Sequence, residues 1–559
     1  MKRNLERLAN QTFDVLVIGG GIHGAVAAWD AALRGLSVAL IERGDFGGAT
    51  SQNSLKIIHG GLRYLQDGNL FRIRTMASER TTWMMIAPHL VHPLTCLTPT
   101  RQKLSRSRLA LGVALIANDL LSFDRNRLSD PEKYLPDGKL ISKNELAYLL
   151  PGYDVSSSTG AAVWHDAQIY STERLLLEFI LSAVDAGAEV ANYVEAIGFL
   201  KQGNRVTGVQ ARDVRSGQVF EIQSKVAVNC AGAWIDDILE VVSLRSEYAT
   251  SVAMNIVVDQ IWSGFAAGLP SQPKDGRLPQ ILFFVPWRNK TMIGTWHIPW
   301  NAPPDKFSMT EDILQSFINE INSAHPPLQL TLDDIQHVTW GFLPVNKEDG
   351  HRQQVRLTRD GVVIDHQKKD HFSGLISVLG VKYTTARVIA EKIIDLAVSK
   401  LDVKTKKCQT HLTPVNGGQI KDFNAFLHQA MIDASDVLDA EFIEHLVYTY
   451  GSEYRTLFQH IKERPELAER IDLNLPVIKA EIVHALRHEM ALTLADVIQR
   501  RTELGSAGLP ALITLQKCAE IMGEELGWNI EQQVQEIEWV IQKYPFKQIE
   551  SSEPMVHLA

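Results

Sequence analysis

Residues 13–64, FDVLVIGGGIHGAVAAWDAALRGLSVALIERGDFGGATSQNSLKIIHGGLRY, decide how the chain folds. Residues 13–18 are a short apolar run of strand type ending at Gly19-Gly20-Gly21-Ile22-His23-Gly24. An alanine-rich helical run extends to about Leu33, Gly35 stops it, and residues 36–41 form a second strand closed by Glu42. Together they make one βαβ unit with G-x-G-x-x-G at its first turn and an acid about 20 residues on. Gly19 makes the tight turn, Gly21 lets the backbone approach a pyrophosphate, and Gly24 lets helix and strand pack closely. The phosphates then sit on the helix N-terminus, where unpaired N–H groups and the helix dipole favour negative charge. Glu42 is placed to accept hydrogen bonds from ribose hydroxyls. The unit predicts a dinucleotide-binding α/β domain.

Bulk properties set the frame. A chain of 559 residues with 45% hydrophobic content supports a sizeable core and roughly two to four domains. With 56 basic against 65 acidic residues, a net charge of −9, the balance predicts no nucleic-acid partner. The four cysteines, Cys96, Cys230, Cys408 and Cys518, lack C-x-x-C spacing, which suits a reducing compartment. MKRNLERLANQTFD carries charge but no apolar signal region. No stretch reaches the ~18 apolar residues of a spanning helix. A cytoplasmic protein follows as the expectation, and a homodimer is compatible with it.

Beyond Glu42 the chain is too polar and glycine-rich for core: Gly47-Gly48-Ala49-Thr50-Ser51-Gln52-Asn53-Ser54, then Lys56-Ile57-Ile58-His59-Gly60-Gly61-Leu62-Arg63-Tyr64. Small hydroxyls and backbone amides in such a loop line a cofactor's pyrophosphate and ring system. The run A-T-S-x-x-S-x-K-[IL]-I-H-G-G-L-R-Y resembles the signature of the FAD-dependent glycerol-3-phosphate dehydrogenases. The resemblance implies FAD as cofactor, with Thr50, Ser51, Ser54, Lys56 and His59 among its contacts. It continues at the strand around Glu195, expected at the adenine end, and at Asn229-Cys230-Ala231-Gly232-Ala233-Trp234, where Gly232 allows close approach. Ser377-Val378-Leu379-Gly380-Val381-Lys382-Tyr383-Thr384-Thr385 resembles the closing turn of the same site and implies Gly380, Lys382 and Thr384 as cofactor contacts.

The substrate side is more divergent. Ile281-Leu282-Phe283-Phe284-Val285-Pro286-Trp287 and Thr291-Met292-Ile293-Gly294-Thr295-Trp296 are β-rich runs resembling the family's, although its I-G-T-T-D ends here as Thr295-Trp296-His297. The family's G-[VIL]-R-P, whose arginine points at substrate, reads Gly341-Phe342-Leu343-Pro344. Its Lys-Gly-Ser-His type segment is absent near Ala253-Met254-Asn255-Ile256. Exchanging a guanidinium for an isobutyl group removes a charge-assisted donor to an anionic substrate. Arg63, Tyr64, Arg359 and Lys382 match substrate-side positions, and His59, Arg63 and Lys382 are the catalytic candidates, His59 as base or as a residue orienting the loop.

Residues 101–108 form a basic run before LALGVALIANDLLSF. That pattern fits either a membrane-surface contact or an ordinary core helix, and the shortness of the apolar run favours the core helix. Residues 406–418 read as a linker, and 419–559 as a helical C-terminal domain. Its R-H-E…D-x-[LIV]-x-R-R-T-x-x-G, at residues 487–505, also resembles the family. His484 and His488 share a helix face at i, i+4, but no third ligand accompanies them, so no metal site is predicted.

The expected architecture is a Rossmann-like FAD-binding domain (10–80, 155–250 and 350–405 of residues 1–405) with an inserted antiparallel substrate sheet, mainly 250–350, plus the all-α domain. The resemblance implies hydride transfer from the secondary alcohol of glycerol 3-phosphate to the flavin, in glycerol metabolism. Electrons then pass to a quinone-type acceptor through peripheral contact with the inner face of the cell membrane. Leu343 keeps open a paralogue acting on another polyol phosphate or biosynthetic hydroxy compound, and a flavin-binding protein without turnover is the third reading.

Overall fold

The structure, a computed structural model, describes residues 1–62, 68–102, 107–273, 279–346, 358, 360–544 and 546. The predicted βαβ unit is present as strand Thr12–Ile18, helix Ile22–Leu33 and strand Val38–Ile41. Thr12–Ile18 lies at the centre because it pairs in parallel on both sides, Val15 facing Val226 on one and Val38 on the other. Its apolar run is buried throughout, as expected of a parallel strand covered on both faces. The order across the sheet is Val362–Asp365, Leu375–Leu379, Val219–Asn229, Thr12–Ile18, Val38–Ile41, Glu189–Ala191. The alanines of Ile22–Leu33 let it lie close between helices Thr172–Asp185 and Ala386–Val398.

The second sheet, largely antiparallel, draws on more of the chain than 250–350. Strands Tyr248–Asp259, Ala266–Pro270, Ile281–Trp287, Lys290–Trp300 and His337–Asn346 are joined by Ile57–Ile58, Val91–Arg101, Lys139–Ile141 and Ser158–Ile169. Pro93 and Pro99, which in the sequence look like breaks between helices, stand inside Val91–Arg101, opposite Ala167 and Ala161. They are an even number of residues apart, so both missing N–H groups fall on one edge and the ladder on the other edge runs on.

The amphipathic segment after the basic run is helix Arg108–Leu121, and here the structure corrects the core-helix reading. Only Leu115 and Asn118 of it are buried. Leu109 (79% exposed), Val113, Ile116 and Leu120 (70% exposed) form one outward apolar stripe at helical spacing. An apolar run in sequence does not reveal whether a neighbour covers it. Among the described residues no helix is long and apolar enough to cross a membrane.

Helices from Phe423–Asp433 to Ile530–Gln542 build the C-terminal region around their own core. Residues 406–418, read as a linker, are docked: Val415 N–H donates to Ile86 O (2.9 Å) and Asn416 N–H to Ser182 Oγ (2.7 Å). The strongest tie is ionic. Asp45, buried in the nucleotide loop, accepts from Arg500 Nε (2.6 Å), from Arg501 Nη1 and Nη2 (2.8 Å each) and from Asn192 Nδ2 (2.9 Å). The π-helical turn Val497–Arg501 widens the helix so that consecutive arginines reach one carboxylate. Burial opposes the charge of Asp45, but Arg501 and Arg500 outweigh it and hold the carboxyl well below its usual range.

Arg501→Met leaves a buried carboxylate with one guanidinium instead of two. The expected loss is about 3 kcal/mol of stability, read by chemical denaturation of the holoenzyme. A change under ~0.5 kcal/mol, the scale of an ordinary surface substitution, would refute this account of the tie.

Candidate functional site

A cavity of about 1990 Å³ is lined by the glycine-rich turn, the loop 42–57, the turn 379–384 and strand His337–Asn346. That exceeds the ~300–1,000 Å³ of an ordinary small-ligand pocket and has room for a dinucleotide with a substrate beside it.

The nucleotide end is built as the glycines predict. Gly19 has φ +106°, and a Cβ on Gly24 would stand 1.9 Å from Gly19 O, so the turn closes only without side chains. Glu42 accepts from Gly20 N–H (2.7 Å) and Gly44 N–H (2.8 Å). Burial pushes its carboxyl pKa up, and those two N–H groups only partly compensate, so further hydroxyl donors such as a ribose diol would be favourable. Ser51 Oγ accepts from Ile22 N–H (3.0 Å), which fixes the loop to the helix N-terminus. Glu195 lines the cavity beside this end and pairs with Arg212. Gly232, at φ +57°, has open space where a Cβ would be.

The flavin end, where the resemblance places the ring, is assembled from distant segments. Thr50 Oγ1 accepts from Phe342 N–H (3.0 Å) and donates to Phe342 O (3.2 Å), bracketing the second sheet to the loop. Gly380 is dictated by His23: a Cβ there would lie 1.9 Å from the His23 ring. Burial pushes His23 down to about 4, and its buried Nε2 has no protein partner. An orphaned polar atom facing a cavity, beside a turn only glycines can form, fits a polar group of a bound dinucleotide. Thr384 Oγ1 accepts from His59 N–H (3.1 Å), which joins the closing turn to the loop.

Two expected cofactor contacts, Ser54 and Lys56, line the cavity and also tie the frame. Ser54 Oγ accepts from Lys56 N–H (3.2 Å). Lys56 Nζ is turned to Thr172 Oγ1 (2.9 Å) and Glu173 (3.0 Å), a buried ion pair under Trp287. Its alternating neighbours give no sign in sequence that Glu173 would meet it.

His59 lines the cavity with its side chain 40% exposed. Its Nδ1 contacts Asp166 Oδ2 at 3.2 Å. Asp166 also accepts from Gly60 N–H (2.6 Å), Trp164 Nε1 (3.1 Å) and Arg80 Nη1 (3.2 Å). Burial opposes its charge, but His59, Arg80 and the Gly60 N–H bring the carboxyl down to about 2. An ionised carboxylate only accepts, so the proton sits on Nδ1 and Nε2 presents its lone pair. Sequence reasoning missed Asp166 and Arg80. The only trace is Gly60, where a Cβ would fall 2.1 Å from Arg80 Nη1.

Lys382 and half-buried Leu343 both line the cavity, as do Ala253 and its cross-strand partner His297. Asn255 is spent on structure, with Oδ1 accepting from Thr295 Oγ1 (2.9 Å) and Nδ2 donating to Asn53 O (3.1 Å). Arg63, Tyr64 and Arg359 lie outside the described residues.

Comparison with known proteins agrees with this geometry. A family model described as FAD dependent oxidoreductase matches residues 14–396, and one described as the C-terminal domain of alpha-glycerophosphate oxidase matches residues 408–533. The chain is 33% identical to a glycerol-3-phosphate dehydrogenase of Synechocystis sp., covering 95% of this chain and 96% of that one. It is 30% identical to the mitochondrial glycerol-3-phosphate dehydrogenase of Homo sapiens, covering 92% and 71%. Among solved structures, the glycerol-3-phosphate dehydrogenase of Bacillus halodurans complexed with FAD superposes with a TM-score of 0.77 at 24% identity, covering 97% and 96%.

Gly24→Ala forces Gly19 O away from the helix. The purified variant is expected to lose its visible flavin absorbance, and a variant with full flavin content would show that the turn is not the cradle.

Proposed function

This chain belongs to the glycerol-3-phosphate dehydrogenase family of FAD-dependent oxidoreductases, and from that premise we propose that it oxidises the secondary alcohol of glycerol 3-phosphate to the ketone of dihydroxyacetone phosphate. The observation that carries the reading is the His59–Asp166 pair at the mouth of a dinucleotide cavity. Bound FAD supplies the hydride acceptor. The protein's part is the proton and the pose. His59 Nε2 takes the hydroxyl proton, and ionised Asp166 stabilises the imidazolium that results while holding the ring in place. Arg80, itself buried, keeps Asp166 charged. Lys382 lends positive charge beside the reacting centre, and Arg63, Tyr64 and Arg359 are the further anion handles this reading assigns. Neither Leu343 nor Asn255 supplies a cation, and in this reading the phosphate is held from the His59 and Lys382 side.

The acceptor reading uses helix Arg108–Leu121. One of its faces, through Ala110, Leu111, Ala114 and Ala117, lines the cavity, Leu109, Ile116 and Leu120 face outward, and exposed Val113 stands at the cavity's rim. Pressed into a bilayer surface, the stripe brings the cavity to the depth where a quinone resides. Phe71 and Phe123, exposed nearby, extend the same apolar face.

Anaerobic addition of glycerol 3-phosphate to the yellow protein is expected to bleach the flavin band, and Asp166→Asn to slow bleaching by roughly 10²-fold, at the low end of what a positioned base contributes, with flavin content retained. Bleaching by a different polyol phosphate alone would transfer the reading to a paralogue. No bleaching by any hydroxy compound would leave a flavin protein without turnover.

On vesicles containing anionic phospholipid, the holoenzyme is expected to co-sediment. The triple variant Leu109→Glu, Ile116→Glu, Leu120→Glu should remain in the supernatant with full flavin content. Equal sedimentation of the two would remove the helix from the membrane contact.

A further inference from the structure

Three imidazoles in the C-terminal region form a cluster that the reaction above does not use. Helix Lys479–His488 carries His484 and His488 one turn apart on one face, and the neighbouring helix Thr456–Glu463 carries His460. The two helices pack together so that one ring nitrogen of each histidine lies within 4.8 Å of those of the other two. His484 stacks on His488 with ring centroids 4.9 Å apart, and His460 stands 5.7 Å and 5.3 Å from them.

The hydrogen bonding of this cluster is incomplete. His460 is 3% exposed and neither of its ring nitrogens has a partner. His484 is also buried, with Nε2 at 3.4 Å from Glu489 Oε1 and Nδ1 without a partner. Buried polar atoms in a folded protein are paired, and an unpaired set that converges implies a missing ligand. Stacking alone would account for two rings, but not for a third whose two nitrogens are both unmatched.

We propose that His460, His484 and His488 form a binding site for a divalent transition-metal ion of the zinc class, with water completing the coordination.

The donor set suits that class, because imidazole nitrogen binds zinc, nickel and copper(II), whereas calcium and magnesium require oxygen. A tetrahedral zinc site with Zn–N of about 2.0–2.1 Å places its nitrogens about 3.3 Å apart. The ring nitrogens therefore close by up to about 1.5 Å from the 4.8 Å limit, and exposed His488 gives the ion its way in. Glu489 at His484 Nε2 occupies the position of the carboxylate that orients a metal-bound histidine and raises its basicity. Glu489 is itself held by Arg174. Two cations stand close and both are engaged: Arg487 pairs with Glu525 (2.7 Å) and Glu463 (3.3 Å), and the Met1 ammonium donates to His488 O (2.6 Å).

Bound there, the ion ties helix Thr456–Glu463 to Lys479–His488 and stabilises the holoenzyme by mass action. The site stands apart from the proposed reaction and does not depend on it. In the sequence His460 lies 24 residues before His484 on a separate helix.

The test uses full-length holoenzyme, stripped with a chelator and then equilibrated with ZnCl₂ at controlled free zinc, with bound zinc counted by mass spectrometry and stability read as Tm. Wild type is expected to retain one zinc per chain and to gain Tm reversibly with the metal. His488→Ala, at an exposed position that the fold tolerates, should bind roughly tenfold more weakly or worse and lose the Tm response. His428→Ala, an exposed histidine on helix Phe423–Asp433, should behave as wild type. His460→Gln should match His488→Ala, and if it fails to fold, judged by flavin content, His488→Ala decides. Equal zinc retention by wild type and His488→Ala, or none by either, overturns the proposal.

Discussion

A carboxylate buried in the nucleotide loop has to be neutralised, and the groups that neutralise Asp45 lie some 455 residues away at Arg500 and Arg501. Much of the architecture follows from that requirement. The same loop gives Glu42 to the glycine-rich turn, Thr50 to the second sheet and His59 to the closing turn at Thr384. One short polar segment is thus the junction of both sheets and the helical region. Its side chains are satisfied only when all three are in place. The R-R-T motif, in sequence merely a mark of the C-terminal region, is the counter-charge of the cofactor loop.

The reacting end is organised by orientation more than by the number of charged groups. Asp166 receives four donors, of which His59 and Trp164 line the cavity. The buried Arg80, Trp164 and Gly60 N–H fix the carboxylate, and the carboxylate fixes the imidazole. The second sheet contributes Leu343 and Asn255 to the cavity. Leu343 stands on the strand that Thr50 brackets, and Asn255 is locked between Thr295 and Asn53.

What could be read in the sequence was local. The βαβ unit shows itself because glycines, alanines and an acid recur at distances set by one turn and one helix, and Glu42, Ser51 and Gly24 act as that pattern says. The chain between 57 and 169 hid its strands because their partners lie far away in sequence and one of them carries two prolines. Lys56, expected among the cofactor contacts, is paired with Glu173, more than a hundred residues on and invisible from the local pattern. Asp166 sits in a tryptophan-histidine-aspartate run with no spacing to mark it. The stripe on Arg108–Leu121 was legible as amphipathic, but whether anything covers it is a property of the packed molecule. His460 escaped for the same reason, since a third ligand on a neighbouring helix leaves no periodic trace.

The separation between Asp45 and its arginines has a consequence for synthesis. At about 5–20 residues per second on the ribosome, Arg500 emerges roughly 20–90 s after Asp45, and until then the cofactor loop carries a charge it cannot bury. The N-terminal half therefore waits with its nucleotide cleft unsealed while the rest of the polypeptide is made. Closure of the cofactor loop onto its counter-charge is accordingly a late event in the making of each molecule.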